Sequence, residues 1–438
     1  MSESRSSKSS RHRAHPRHRH RARQHESAHA AAEQHPEVKY PEHPLIPRSS
    51  ADWIDTPDGL AELLDHLRSV GSFAYDSEFI GEMSYVPKLC LLQVATTSRI
   101  ALVDPLLDLD LSPFWDLVAD PSIEKIVHAG QQDLEPVFRL VNKSPANIFD
   151  TQIASGFAAL AYPSALSKLV RQLLGIRIGK GFTFTHWDDR PLSPVQMRYA
   201  ADDVRFLPAM RAELATRLAG LGHASWASEE SENLCDAELY NFDPHKDFYR
   251  IRGAGSLEPK GLGVLRALVV WREAAARQAD LPPRSFLRDD ILIDLARRPV
   301  RSLPDLDRVK GLPRPVELQH GQEILDATLG ALALPSAELP HPPKAVEESP
   351  AEKFRIDSLW SAAQGLCMGL GIDPAVAATR GDVSRLYKGL AHHEDLSSLR
   401  LMRGWRGAAL GEPLLALLKG EANLQVRWHD NRLAVQKL

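Results

Sequence analysis

The chain has 438 residues, is 43% hydrophobic and 25% charged with a net charge of −4, and so has the balance of a globular protein of two to four domains. No apolar run is long enough to cross a bilayer and no apolar core follows the N-terminal charges, which argues against a membrane span or a secretory signal. Cys90, Cys235 and Cys367 are far apart and form no CxxC pair, so neither a zinc ribbon nor a disulfide framework is expected, and a reducing, cytoplasmic setting fits.

Residues 1–48 contain few large apolar side chains and read as a disordered, basic His/Arg-rich tail. Residues 1–24 carry eight Lys or Arg against Glu3, a net +7, which leaves −11 for the rest of the chain. RHRAHPRHRHRARQH is suited to phosphates through counterion release, or to a metal through its histidines; a solvated tail is the plain alternative. From Ala51 the pattern turns globular. ADWIDTPDGLAELLDHLRSVG predicts a strand and then a helix capped by Thr56, with Gly59 to Leu67 as its amphipathic part. FAYDSEF predicts a strand, and LCLLQVATTSRIALVDPL two more joined by a polar turn. IEKIVHAGQQDLEPVFRLV runs from a strand, KIVHA, into a helix. NIFDTQIASGFAALAY begins with a strand end and continues as a helix, and ALSKLVRQLLGI is a further amphipathic helix. MRYAADDVRFL closes the set as a short helix. This alternation predicts an α/β domain with a mixed sheet flanked by helices over residues 49–215.

Beyond it the strand signals stop. A connector at 216–254 leads to LGVLRALVVWREAAARQADLP, DDILIDLARRP, SLPDLDRVKGLP and HGQEILDATLGAL, which predict a helical bundle at 255–333. A Pro-rich linker spans 334–350, and a second helical unit is expected over 351–438.

Four acids stand out by position. Asp76 and Glu78 are i and i+2 on a strand, so both leave the same face of the sheet. Asp133 begins the helix after KIVHA, and Asp203 lies one helical turn beyond Tyr199. Gathering four carboxylates is costly unless cations neutralise them, and Mg²⁺ or Mn²⁺ prefer such oxygen ligands. Two ions about 4 Å apart clamp a phosphodiester, one activating water and one steadying the leaving oxygen. A phenol of pKa near 10 is a poor base, so Tyr199 suits the aiming of water rather than its deprotonation. Taken singly, each acid has a plainer account: a solvated strand face for Asp76 and Glu78, the helix dipole for Asp133, and a pair with Arg205 or Arg198 for Asp203.

Read together, the segments YDSEF, VHAGQQDLEPVF, FDTQIA and HWDDRPLSPVQMRYAADDVRFL, with the helical unit around VVWREAAARQADLP, resemble ribonuclease D, a family of DEDD 3′–5′ exonucleases with a tyrosine in the third motif. The family's acids map onto Asp76, Glu78, Asp133 and Asp203, and its tyrosine onto Tyr199; Asp202 rivals Asp203, but only Asp203 keeps the Y-x-x-x-D spacing. Thr185-His186-Trp187 departs from the Ser-Asp that often precedes the tryptophan of the family's third motif. The resemblance implies a ribonuclease-H-like exonuclease domain followed by all-α HRDC-type domains, the second an HRDC-like unit at 351–438. It implies metal-dependent trimming of RNA 3′ ends, typically of tRNA precursors and other small stable RNAs, with release of nucleoside 5′-monophosphates. For substrate contacts the candidates are His128, Gln93, Trp187 and Lys168, with Phe184, Arg171, Arg177 and Lys180 beside them. A core histidine, a hydrogen-bonded sheet position, local packing and a solvated helix face are the respective plainer roles. A 3′–5′ DNA exonuclease and a catalytically inactive RNA-binding scaffold stay open as alternatives. The sequence does not fix the oligomeric state; a monomer is favoured.

Overall fold

The computed structural model describes residues 42–81, 83–179, 186–341, 348–429 and 432–437. Residues 1–41 of the basic tail, Phe184 and Lys180 lie outside the described residues; the rest of the segment expected to be disordered, 42–48, is packed on the first domain instead, with Ile46 buried and Pro47 O accepting from the Arg205 guanidinium. The first domain is built on a six-stranded sheet of order β1-β4-β3-β2-β5-β6. Its strands are β1 (Asp52–Ile54), β2 (Ser72–Ile80), β3 (Lys88–Ala95), β4 (Ile100–Val103), β5 (Glu124–Val127) and β6 (Ile148–Asp150). β2, β3 and β4 form an antiparallel meander, while β1 adds parallel to β4 and β5 and β6 add parallel beyond β2. The mixed sheet expected from the sequence is therefore present, and β2 is one of its interior strands.

Strand alternation sorts the core into two layers. Phe73, Tyr75, Leu92, Val94 and Val103 pack against α1 (Pro57–Val70), α2 (Ser112–Ala119) and α3 (Gln131–Val141). α1 begins where its cap predicts, with the Gly59 N–H donating to Thr56 Oγ1 at 3.3 Å, and it buries Leu60, Leu63, Leu64 and Leu67. On the other face Ala74, Ala95, Ile100, Leu102 and Ile126 meet α5 (Leu166–Leu174), α6 (Pro194–Arg205) and α7 (Leu207–Leu221). Two expectations need correction. The helix in NIFDTQIASGFAALAY, α4 (Thr151–Gly156), stops early, because the chain turns away at Ala159, whose N–H donates to Gly371 O at 2.9 Å. The unit at 351–438 is not wholly helical: Leu424–His429 and Arg432–Lys437 form an antiparallel hairpin. Its first strand, LQVRWH, alternates apolar and polar residues with the period of a strand; its second, RLAVQK, does not.

After α8 (Ala224–Glu232), the bundle of α9 (Pro259–Gln278), α10 (Asp289–Arg297) and α11 (Arg314–Leu332) closes over Leu265, Leu268, Leu292, Leu295 and Ile324. It reaches the sheet domain through Tyr85, on the loop that follows β2. The Tyr85 N–H donates to Asp280 Oδ1 at 3.0 Å, its hydroxyl bonds Glu273, and the Arg277 guanidinium lies 4.7 Å from its ring centroid. The last unit, led by α12 (Pro350–Leu370) and α13 (Arg380–Ala391), shares a continuous core with the sheet domain. Trp405 meets Phe157 edge-on, with ring centroids 4.7 Å apart. Arg406 forks onto Glu230, both contacts 2.6 Å, with the side chains 7% and 14% exposed. Removing one partner of such a pair strands a buried charge. Glu230→Ala is expected to destabilise the protein by roughly 3 kcal/mol, measured by urea denaturation, and to do so more than Glu213→Ala, whose partner Arg217 is on the surface.

Candidate active site and metal centre

The site is built on the end of β2. Asp76 and Glu78 leave one face of the strand, as their spacing requires, and α6 crosses that face. α6 starts at a fixed point: the Gln196 N–H donates to Ser193 Oγ, the Ser193 N–H donates to Gln196 Oε1, and Pro194 occupies the first turn. One carboxylate oxygen from each of Asp76, Glu78 and Asp203 falls within a sphere where all lie inside 4.8 Å of one another. Tyr199 stands one turn before Asp203 and its hydroxyl donates to that carboxylate. Asp202, the rival acid, points elsewhere, receiving Arg205 Nε at 3.1 Å. Asp133 approaches from α3 on the opposite side of β2, where the Ser77 hydroxyl donates to its carboxylate, and it is not part of the tight trio.

The electrostatics are those of a site short of positive charge. Burial raises the pKa of Asp76 well above the usual range, reinforced by Asp133 and Asp203, and Asp203 is raised likewise by burial and Glu78. Glu78 is pushed up to about 8 by burial and then by Asp76 and Asp133. Asp133 rises to about 6 through burial, held back by the Ser77 hydrogen bonds. Tyr199 is raised too, by burial and then by Asp203 and Glu78, so its phenol keeps its proton. Hard oxygen donors that repel one another, with other acids rather than bases as the charges acting on them among the described residues, fit divalent metal ions, and so does the fold.

The turn between β5 and α3 is the most constrained part of the site. Ala129 has φ of 56°, and a Cβ on Gly130 would lie 2.6 Å from the Val127 side chain, so glycine is required there. Asp150, which the sequence reading quoted within FDTQIA without a role, holds this turn. Its buried carboxylate accepts from the N–H groups of Ala129 (3.2 Å), Gly130 (3.0 Å), Gln152 (2.7 Å) and Ile153 (3.1 Å). Arg190 was also missed. It grips Asp104 with two contacts of 2.6 Å and donates to Cys90 O and Trp187 O, pinning the loop before α6 to the sheet. An acid two residues before a helical Q-I pair and an Arg-Pro before a capping Ser were the available signals.

The candidate substrate residues divide. Trp187 is 4% exposed and packs with Leu91, Leu102, Leu192 and Ala200, so it offers no free face to a base. Gln93 is wholly buried beneath α6, away from any nucleotide; it is paired within the sheet opposite Asp76 and Leu102, while its side-chain amide has no hydrogen-bond partner. His128 is half-buried, its Nδ1 lying 2.9 Å from Thr151 Oγ1, and burial lowers its pKa. Lys168, Arg171 and Arg177 are exposed on and just after α5.

A mixed sheet with carboxylates clustered on a central strand, followed by a helical bundle, defines a 3′–5′ exonuclease with a nucleic-acid-associated helical module. Known proteins agree. Residues 51–219 match the family model for a 3′–5′ exonuclease and residues 261–328 that for an HRDC domain. Ribonuclease D of Gluconacetobacter diazotrophicus is 34% identical over 85% of this chain and 94% of its own length; that of Pseudomonas paraeruginosa is 33% identical over 84% and 97%. The crystal structure of Escherichia coli RNase D, described as an exoribonuclease involved in structured RNA processing, superposes with a TM-score of 0.75 at 29% identity, covering 85% of this chain and 99% of that one. The chain belongs to the ribonuclease D family and is a hydrolase, a 3′–5′ exoribonuclease. Among the described residues, no helix is long and apolar enough to cross a membrane.

In cation-free protein, Glu78 and Asp133 hold protons that the unfolded chain releases near 4.5 and 3.8. Their contribution to stability is present in full below those values and is lost as the pH rises through about 6 for Asp133 and about 8 for Glu78. The melting temperature of EDTA-treated protein is expected to fall across this window, and Mn²⁺ to flatten the fall. A melting curve independent of pH from 4.5 to 8 would contradict the clustering.

Proposed function

We propose that Asp76, Glu78, Asp133 and Asp203 hold two divalent cations, Mg²⁺ or Mn²⁺, and that Tyr199 aims the water that cleaves the 3′-terminal phosphodiester. The observation that carries this reading is the meeting of three carboxylates within 4.8 Å beside a tyrosine hydrogen-bonded to one of them. When bound, the cations supply the positive charge that offsets the carboxylates and draws in the phosphodiester. Tyr199, kept protonated, orients water by hydrogen bonding rather than by removing its proton. Ser77 keeps the Asp133 carboxylate directed at the end of β2. Asp150 and Arg190 hold the segments that carry Asp133 and α6. Trimming of tRNA precursors and other small structured RNAs to nucleoside 5′-monophosphates, by a cytoplasmic monomer, is the finer reading. It is supported by the structured-RNA role described for the Escherichia coli relative. We read the domains as exonuclease at 49–215, connector at 216–254, HRDC at 255–333, linker at 334–350 and a second HRDC-like unit at 351–438. The bundle core of α9 to α11 supports the first HRDC unit.

Digestion of a 5′-labelled tRNA with a 3′ extension tests the chemistry. A ladder shrinking from the 3′ end is expected with Mg²⁺ or Mn²⁺ and not with EDTA. Tyr199→Phe should cut more slowly, on the order of 10²-fold, at unchanged RNA affinity. Asp203→Asn should abolish cutting, whereas Asp202→Asn should retain it. Full activity of Tyr199→Phe would remove the tyrosine from the mechanism; a DNA strand cut faster than matched RNA would argue for the DNA-directed alternative.

A further inference from the structure

Gln93 sits on β3 directly opposite Asp76 on β2 and opposite Leu102 on β4. The pleat therefore turns it to the same face as Asp76, with Ala74 and Glu78 as its diagonal neighbours. That face is covered by α6, and the apolar residues packed in this layer include Leu91, Leu102 and Ala200 in one cluster and Ala95, Ala201 and Val204 in the other. Gln93 is 0% exposed, and neither its Oε1 nor its Nε2 has a hydrogen-bond partner. A buried polar group left unpaired costs about 1–3 kcal/mol, and an apolar residue of the same shape would avoid that cost.

The nearest polar group by register is the Asp76 carboxylate. Directly opposed side chains have Cβ atoms about 4.5–5.5 Å apart, within the span of a glutamine amide. The amide brings two N–H donors, and a carboxylate that holds a cation with one oxygen has its other oxygen free to accept. We propose that Gln93 is a positioning residue for the cation site, its amide N–H donating to Asp76 and holding that carboxylate in the orientation a divalent ion needs. The inference rests on the reading of Asp76 as a cation ligand and extends it to a residue one strand away. Hydrogen-bond partners behind metal ligands are typically worth about 10–100-fold in metal affinity.

Gln93→Met tests this in the full chain, since methionine keeps the length and volume of glutamine without its hydrogen bonds. Mn²⁺ binding without RNA is measured by titration calorimetry, and melting temperature in EDTA. The expected result is a melting temperature equal to or above that of the parent, with Mn²⁺ affinity weakened about tenfold. Digestion lost at low Mn²⁺ should return as Mn²⁺ is raised. Unchanged Mn²⁺ affinity would overturn the proposal. A melting temperature lowered in EDTA would also overturn it, by making the amide a structural group; Gln93→Leu then checks that the loss is not peculiar to methionine. Absence of Mn²⁺ binding by the parent would instead defeat the cation reading itself, and the two failures are distinct in the same titration.

Discussion

The mutual repulsion of Asp76, Glu78 and Asp203 is the constraint around which the catalytic domain is arranged. Two charges about 5 Å apart repel by roughly 3 kcal/mol at an effective dielectric of about 20, and burial adds to the cost. Among the described residues the charges acting on each group come from other acids, not from lysine or arginine. The fold holds the carboxylates in place instead. Two are fixed by a strand bonded on both sides by its neighbours, and the third by a helix whose first turn is capped and proline-set. A site strained in this way favours its unloaded state poorly, and that is what gives it affinity for divalent ions.

The supporting contacts are themselves buried and directional. Asp150 spends its carboxylate on four backbone N–H groups, so the β5–α3 turn keeps a left-handed Ala129 that an isolated peptide would avoid. Arg190 meets Asp104 as a fork and ties two backbone carbonyls to the same point. The two helical units attach differently. The HRDC bundle meets the catalytic domain at the Tyr85 loop, just beyond the strand that carries Glu78, whereas the C-terminal unit shares its core with α4, α7 and α8. The first contact is small and polar, and the second is continuous packing around Trp405, Phe157 and the Arg406–Glu230 pair.

Much of this was legible in the chain. The strand period placed Asp76 and Glu78 together, the helix period joined Tyr199 to Asp203, and the Thr56 cap marked the start of α1. The choice of Asp203 over Asp202 followed from spacing alone, and the structure adds the reason: Asp202 faces Arg205. Other features were not legible. An aromatic or amide in a motif looks the same whether it contacts ligand or core, so the sequence cannot tell that Trp187 and Gln93 are buried. The helix after β6 is shorter than its sequence suggests, and the contact that follows its end is with Gly371, more than two hundred residues away. Of the C-terminal hairpin only the first strand, LQVRWH, carries a two-residue alternation, set beside strong helical signals.

The sequence by itself determined what depends on local periodicity and on residue chemistry: the strand and helix faces, the succession of a mixed-sheet domain and a helical bundle, and which acids and which tyrosine are candidates for the site. Tertiary structure decided what depends on distance between segments. It set Asp133 on the far side of β2, bonded to Ser77 and outside the tight trio. It laid Gln93 across from Asp76, gave Asp150 its four donors, and fused the last helical unit to the catalytic core. Periodicity fixes which side of its own element a residue faces; which residue of another element it meets there is settled only when the sheet pairs and the helices pack.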